Sequence, residues 1–146
     1  MEEIWDIYDE NRNLTGKTIK RAEYINKIKE NEYHLVVHIW IKNDNNEWLI
    51  SKRTPNKHFP LLWECTGGSA LAGEESLTAA LREVKEELGI TLDKSRAGFI
   101  KRLSVPFILI LLMYGYISII AVLMILFYSP RKPAMQCGHQ LKKFNS

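Results

Sequence analysis

The sequence predicts an α/β domain over residues 1–100 and, within residues 101–146, an apolar helix that crosses a membrane and precedes a basic tail. Three observations support this prediction. Short β-rich segments precede one amphipathic helix in the first part of the chain. The stretch 103–128 then runs for 26 residues without a charge. All 17 acidic residues lie at or before Asp93, so the composition changes abruptly there.

The composition limits the class of protein. A chain of 146 residues with 46% apolar and 25% charged residues suffices for one globular domain and is not disordered. Up to Asp93 the acidic residues outnumber 12 basic ones by 5, and the 8 basic residues beyond it have no acidic counterpart. Because no compact basic domain results, we expect no nucleic-acid partner. Two distant cysteines and a start without a signal-peptide pattern argue against a disulfide-stapled secreted protein.

The elements of the predicted domain follow from β-rich runs separated by turn residues. The turn-rich ENRNLTG, flanked by EIWDIYD and KTIKR, predicts a hairpin or two short strands. Two further strands, joined by a turn at DNN, are predicted for HLVVHIWI and EWLISKR. A loop is predicted for RTPNKHFPLLWECTGG. The helix is SLTAALREVKEEL, with Ser76 as its N-cap and Gly89 as its C-terminal stop.

One face of this helix carries acidic residues. Apolar side chains recur at helical spacing on the other face and predict packing on a sheet: Leu77, Leu81, Val84 and Leu88. Away from that stripe, Glu83, Glu86 and Glu87 converge, and Lys85 points elsewhere. The alternative is a solvated charged face. Three carboxylates without a basic partner favour a hard divalent cation such as Mg²⁺.

The spacing around this helix follows a specific pattern. Gly68 is followed by five residues and Glu74, then by seven residues and the run REVKEELGI from Arg82 to Ile90. This 23-residue stretch resembles the Nudix box at every specified position. The chain is therefore similar to the Nudix hydrolase family over about residues 1–100. The resemblance implies the N-terminal part of a Nudix α/β/α sandwich, a mixed sheet with the Nudix helix, without a counterpart of its C-terminal half.

The resemblance also implies an activity. Nudix hydrolases cleave a diphosphate linkage in a nucleoside diphosphate derivative or a related small molecule, with Mg²⁺ or Mn²⁺. By the match to the box, Glu83, Glu86 and Glu87 are expected to hold the metal beside Gly67, and together with Arg82 they form the predicted catalytic group. Arg82 is expected to orient a box carboxylate rather than to contact substrate.

Basic residues before the box are candidates for substrate binding. Arg53 and Lys57 are predicted to contact substrate phosphates from a strand end and the following loop, and Arg21 is a third candidate. The alternative for all three is a solvated side chain.

Type 1 isopentenyl-diphosphate isomerases are the alternative family, because DENRNLTGK and HLVVHIWI resemble them too. Those enzymes place a cysteine immediately before the box glycine, where this chain has Gly67, and Cys65 lies two residues too early. Of their three histidine metal ligands only His34 has a counterpart, since Lys27 and Ser69 stand at the other two positions. An isomerase is therefore disfavoured, and we interpret His34 as a strand residue.

The apolar stretch 103–128 is long enough to span a bilayer. As a helix it would extend over roughly 39 Å, against about 30 Å for the hydrocarbon core. The alternative is a pair of buried strands broken near Gly115, since the same residues favour sheets. Two origins are open for a tail without acidic residues: an out-of-frame translation, or a membrane anchor fused to a truncated Nudix module.

These origins imply different locations and activities. A genuine anchor predicts a single-pass membrane protein with the Nudix part in the cytoplasm, either active or reduced to a non-catalytic fragment. Without an anchor we expect a cytoplasmic protein whose aberrant C-terminus impairs hydrolysis.

Overall fold

The computed structural model describes residues 2–45, 47–56, 59–105, 119–128 and 141–145. These ranges contain nine strands, two α-helices and two short 3-10 turns. The strands are β1 (Ile4–Tyr8), β2 (Leu14–Lys20), β3 (His34–Asn43), β4 (Glu47–Lys52), β5 (Trp63–Glu64), β6 (Thr66–Ser69), β7 (Ala97–Val105), β8 (Ile119–Tyr128) and β9 (Leu141–Asn145). The helices are α1 (Tyr24–Lys27) and α2 (Ser76–Leu88), and the 3-10 turns cover Arg21–Glu23 and Lys94–Arg96.

Seven of the described strands form one mixed sheet around β3. The main strand order is β5-β4-β3-β8-β7, with β6 pairing β3 and β9 pairing β4. β3 runs parallel to β8, from His34 opposite Ile119 to Asn43 opposite Tyr128. β6, which contains Gly67 and Gly68, runs antiparallel to β3. These two residues, the glycine run, are thereby fixed against the central strand.

α2 packs on β3 through small and branched side chains. Val37 and Ile39 are fully buried on the strand, and Ala79, Ala80 and Val84 are fully buried on the helix. The two alanines let the helix backbone approach the sheet closely, because their side chains end at Cβ. The acidic face of α2 is therefore held beside β6, the neighbour of β3.

The predicted helix is confirmed over Ser76–Leu88. Gly89 ends it, as predicted, in the left-handed conformation at φ 67°, and its N–H donates to the Lys85 carbonyl at 3.0 Å. The predicted N-cap is wrong. Glu75 holds that position in an extended conformation, so Ser76 is already the first helical residue.

The N-terminal hairpin is a separate two-stranded sheet of β1 and β2, as the sequence predicts. It packs over its own small apolar core. Two hydrogen bonds tie it to the loop after β6. The Ala72 N–H donates to the Ile4 carbonyl at 2.8 Å, and the Gly73 N–H donates to Asp6 Oδ2 at 2.6 Å. The hairpin is thus anchored next to the glycine run.

The predicted transmembrane helix over residues 103–128 is wrong. Residues 97–105 and 119–128 belong to strands β7 and β8, which pair antiparallel with each other. The described part of the chain contains no helix long and apolar enough to cross a membrane. A strand with neighbours on both sides can read as a continuous apolar run, so the absence of charge does not distinguish it from a helix.

The structure therefore has the strand alternative in the described part of this stretch, while residues 106–118, including Gly115, lie outside the described residues. β7 runs across residue 100. The division of the chain at that position stays a prediction.

Candidate active site

The glycines of β6 bring its backbone against two neighbours that leave no room for a side chain. A Cβ at Gly67 would overlap the Val37 carbonyl oxygen of β3. A Cβ at Gly68 would overlap the carboxylate of Glu83, which reaches over from α2. The second glycine therefore provides the space in which the Glu83 carboxylate lies.

Arg82 is the centre of a carboxylate network beside this space. Its Nε and Nη2 donate to the two oxygens of Glu74 at 3.0 and 2.9 Å. Its Nη1 donates to Glu83 Oε1 at 2.8 Å and to Glu86 Oε2 at 3.1 Å. Nη2 also donates to the Ser69 carbonyl at 3.0 Å. One arginine therefore links the acidic face of α2 to the strand that contains the glycines.

The expectation that the box carboxylates have no basic partner is wrong for two of them. Arg82 precedes Glu83 by one residue and Glu86 by four, and its long side chain reaches both. Helical geometry turns Lys85 away from these carboxylates but does not limit the reach of the Arg82 side chain. A guanidinium fork can satisfy several carboxylates at once, which reduces the like-charge repulsion expected on this face.

Burial and the bonds from Arg82 shift the pKa values of the carboxylates in opposite directions. Burial raises the pKa of Glu83, whose side chain is 14% exposed, although hydrogen bonding from Arg82 works against it. Burial also acts on Glu74, but there the bonds from Arg82 and from the Leu71 N–H prevail and lower the pKa. The bond to Glu74, and less strongly that to Glu83, raises the pKa of Arg82. Arg82 is therefore charged throughout the ordinary pH range.

The third box carboxylate makes a different contact. Thr66 Oγ1 donates to Glu87 Oε2 at the start of β6. In the described ranges no three side chains of His, Cys, Asp or Glu stand together as a metal-binding group, so the convergence of Glu83, Glu86 and Glu87 is not found with these side-chain positions. The donor type still fits Mg²⁺ or Mn²⁺, because all three offer carboxylate oxygens and Gly68 leaves room for one of them.

A cleft of about 400 Å³ lies beside Gly67 and Glu87. Charged side chains dominate its wall, and its lining residues are Arg21, Arg53, Asn56, Glu64, Cys65, Gly67 and Glu87. Arg53, a predicted substrate-binding residue, is among them and forms an ion pair with Glu64. Lys57, the other predicted substrate contact, lies outside the described residues.

Sequence reasoning misses three residues of this cleft: Asn56, Glu64 and Cys65. The signal that would find them is the pairing of β4 with β5, which sets Ser51 opposite Glu64. That pairing spans a loop with two prolines, where the register cannot be read from the residues alone. Burial raises the pKa of the Cys65 thiol, so the thiol is largely protonated near neutral pH.

His34 does not line this cleft. It begins β3, is 2% exposed, and stacks on Trp5 with ring centroids 4.4 Å apart. Its Nε2 lies 3.2 Å from Ser69 Oγ. The interpretation of His34 as a strand residue is confirmed.

Comparison with known proteins finds relatives in sequence. Residues 32–105 match the family model described as NUDIX domain. An uncharacterized Nudix hydrolase of Listeria monocytogenes is 50% identical over 103 residues, covering 68% of this chain and 59% of that protein. The 8-oxo-dGTP diphosphatase of Escherichia coli is 41% identical over 51 residues, covering 35% of this chain and 40% of that protein. The chain thus spans 59% of the length of the first curated relatives that it matches.

Solved structures share the fold. The crystal structure of DR0079 from Deinococcus radiodurans has a TM-score of 0.69 at 20% identity, and it covers 98% of this chain and 83% of that one. A MutT structure from a study of Aliivibrio salmonicida and Vibrio cholerae has a TM-score of 0.56 at 25% identity, with 75% of this chain and 77% of that one covered. The first similarity concerns the fold alone.

Proposed function

The chain belongs to the Nudix hydrolase family, and from this membership we propose that it hydrolyses a diphosphate linkage in a nucleoside diphosphate derivative or a related small molecule. Nudix hydrolases generally use divalent metal ions such as Mg²⁺ or Mn²⁺. One observation carries the proposal for this chain. A single guanidinium, that of Arg82, holds Glu74, Glu83 and Glu86 beside the glycine run that borders the cleft.

In the proposed site Glu83, Glu86 and Glu87 hold the metal, with Gly67 beside them. When bound, a divalent cation neutralises diphosphate oxygens and activates water for attack at phosphorus. Arg82 bonds to one oxygen of Glu83 and one of Glu86. Among the bonds made by described residues, the second oxygen of each of these carboxylates thus remains for a cation.

Arg82 acts as a positioning residue in this proposal. Its five described bonds run to three carboxylates and to the Ser69 carbonyl. The guanidinium therefore holds Glu83 and Glu86 in place before a cation arrives, which reduces the side-chain entropy lost on binding.

Arg53 contacts a substrate phosphate in the proposed complex. Its side chain lies in the cleft, is 18% exposed, and is already oriented by its ion pair with Glu64. A phosphate accepts two parallel hydrogen bonds from a guanidinium, which gives direction as well as charge. Lys57, four residues further along the chain, is the second proposed phosphate contact and rests on the sequence alone.

An activity panel tests the proposal. The full chain is incubated with nucleoside triphosphates and nucleoside diphosphate sugars plus Mg²⁺ or Mn²⁺, and the products are followed by phosphorus NMR. Glu86→Gln should lower the rate by about 100-fold or more, because it removes a proposed metal ligand. Glu75→Gln is the matched control, since Glu75 is also exposed and lies just before α2, and we expect a rate within about twofold of the unchanged chain.

Metal binding is measured separately from turnover. Mn²⁺ titration followed by electron paramagnetic resonance should give weaker binding for Glu86→Gln than for Glu75→Gln. Equal Mn²⁺ affinity in the two variants, or hydrolysis that Glu86→Gln leaves unchanged, would contradict the proposed site. Isopentenyl diphosphate is included in the panel, because its isomerisation without hydrolysis of any nucleotide would favour the isomerase alternative.

A further inference from the structure

We propose that Arg21 forms an anion-binding site with Arg53 in the cleft, and that Glu3 occupies this site in competition with the anion. Arg21 lies before residues 32–105, the part of the chain that matches the family model. The ligand is a phosphate-bearing small molecule. The inference rests on the proposed function in one respect: the phosphate belongs to the substrate. It is a phosphate group outside the diphosphate linkage that is cleaved.

Backbone pairing fixes the position of Arg21 at the cleft. Ile4 and Lys20 are opposite each other at the end of the β1–β2 ladder. The Arg21 N–H donates to the Glu3 carbonyl at 3.0 Å, which extends the pairing by one position. The Ala72 N–H bonds to the Ile4 carbonyl at 2.8 Å, so this end of the hairpin is held beside the loop that follows the glycine run.

The guanidinium of Arg21 can exchange its partner. Its side chain is 64% exposed, and that of Glu3 is 41% exposed. Both bonds to Glu3, at 2.8 and 3.0 Å, come from Nη1, so among the described residues the donors of Nε and Nη2 remain for a ligand. An exposed ion pair contributes little in water, whereas a phosphate accepts parallel bonds from the guanidinium. A phosphate can therefore displace Glu3.

The arrangement of charge favours Arg21 over Arg53 as the stronger anion contact. The carboxylate that pairs with Arg53 belongs to Glu64, which itself lines the cleft and repels an anion there. Glu3 is not among the lining residues. When an anion displaces Glu3, the positive charge of Arg21 therefore stays in the cleft, whereas the carboxylate of Glu3 does not line it.

The neighbouring ion pair of the hairpin provides matched controls. Lys20 and Glu2 form an exposed pair at 3.0 Å, each one residue away from the pair under test. Neither of them lines the cleft. Lys20→Ala and Glu2→Gln thus make the same changes of net charge, with similar exposure, outside the proposed site.

Calorimetric titration with inorganic pyrophosphate, in EDTA and without added metal, tests the site in the full chain. We expect Arg21→Ala to weaken binding by about tenfold or more, and Glu3→Gln to strengthen it by up to about fivefold. Lys20→Ala and Glu2→Gln should stay within about twofold of the unchanged chain. Arg21→Lys keeps the charge and loses the parallel bonds, so its affinity should be intermediate.

Three results would overturn the inference: no pyrophosphate binding by the unchanged chain, equal affinities of Arg21→Ala and Lys20→Ala, or equal affinities of Glu3→Gln and Glu2→Gln. All five substitutions are at exposed side chains, so we expect each variant to fold. Melting curves check that no change in pyrophosphate affinity comes from unfolding. The titrations need neither metal nor turnover. Pyrophosphate binding with the expected variant pattern but no hydrolysis would refute the proposed function alone, and hydrolysis with equal KM in Arg21→Ala and Lys20→Ala would refute the inference alone.

Discussion

Replacing the two glycines of β6 by alanine, one at a time, should separate folding from catalysis. The added methyl group meets different atoms at the two positions. At Gly68 it overlaps the Glu83 carboxylate, which is the end of a flexible side chain, and at Gly67 it overlaps the Val37 carbonyl oxygen of the central strand. We expect Gly68→Ala to fold and to lose activity, and Gly67→Ala to be strongly destabilised.

The cost at Gly68 follows from the contact that the Glu83 carboxylate must give up. Moving it breaks the 2.8 Å bond from Arg82 Nη1, which costs roughly 1.5–3 kcal/mol for a bond between charged groups. Alanine offsets about 0.4–1 kcal/mol of this, because it restricts the unfolded chain. The free energy of unfolding should therefore fall by about 0.5–2.6 kcal/mol. A catalytic group displaced by about 1 Å loses about 100-fold in rate.

The cost at Gly67 is larger because backbone must move. Its neighbour on β3 belongs to a ladder of four paired positions between Val36 and Ile39 on β3 and Ser69 and Thr66 on β6. Relieving the overlap separates the two strands, and we expect the free energy of unfolding to fall by about 3 kcal/mol, the upper range for overpacking. The local backbone needs no left-handed conformation at either glycine, so the comparison isolates the steric effect.

Urea unfolding followed by tryptophan fluorescence gives both stabilities, and initial rates on the best substrate of the panel give both activities. A wild-type rate for Gly68→Ala would refute the position of the Glu83 carboxylate. Equal stability of the two variants would refute the close approach of β6 to β3.

Three further changes test other contacts. Arg82→Lys should lower the free energy of unfolding by about 1–2 kcal/mol in urea, because an ammonium cannot make the five described bonds of the guanidinium; unchanged stability would argue against the network. Burial acts to raise the pKa of Glu74, but the bonds from Arg82 and the Leu71 N–H together lower it below its ordinary 4.5. The stabilisation from Glu74 is therefore complete above pH 4.5 and is lost as the pH falls through the lower folded value. Urea midpoints between pH 3 and 6 should therefore fall less steeply with acid in Glu74→Gln, and equal slopes would contradict this. Trp5→Leu should cost about 2–3 kcal/mol, because Trp5 is 7% exposed and stacks on His34; unchanged hydrogen exchange in β1 and β2 would count against that anchor.

Elements with local signals could be predicted from the sequence. The helix over Ser76–Leu88 has an apolar stripe and a terminal glycine, and both act within a few residues. The N-terminal hairpin has a turn-rich centre between two β-rich arms. The family pattern from Gly68 to Ile90 is likewise a matter of spacing along one short stretch.

Contacts that depend on side-chain reach or strand register could not be predicted. Helical spacing places Glu83 and Glu86 on one face, but it does not give the conformation in which the Arg82 side chain reaches both. The ion pair of Arg53 with Glu64 requires the register of β4 against β5. The stretch 103–128 satisfies the criterion for a membrane helix, and only pairing between distant segments reveals the strands in its described part, residues 103–105 and 119–128.

The parallel pairing of β3 with β8 imposes an order of assembly during synthesis. β3 ends at Asn43 and β8 begins at Ile119, so α2 and β7 are synthesised before the parallel partner of β3 exists. Until then one edge of the ten-residue β3 offers unpaired N–H and C=O groups to any extended segment nearby. Contacts so distant along the chain also form slowly, since a long loop must close first. The bonds of Arg82 need only residues 69–86, so they can form while the sheet is still open. The interval between the synthesis of β3 and that of β8 is therefore the period in which a nascent chain is most exposed to aggregation through its own central strand.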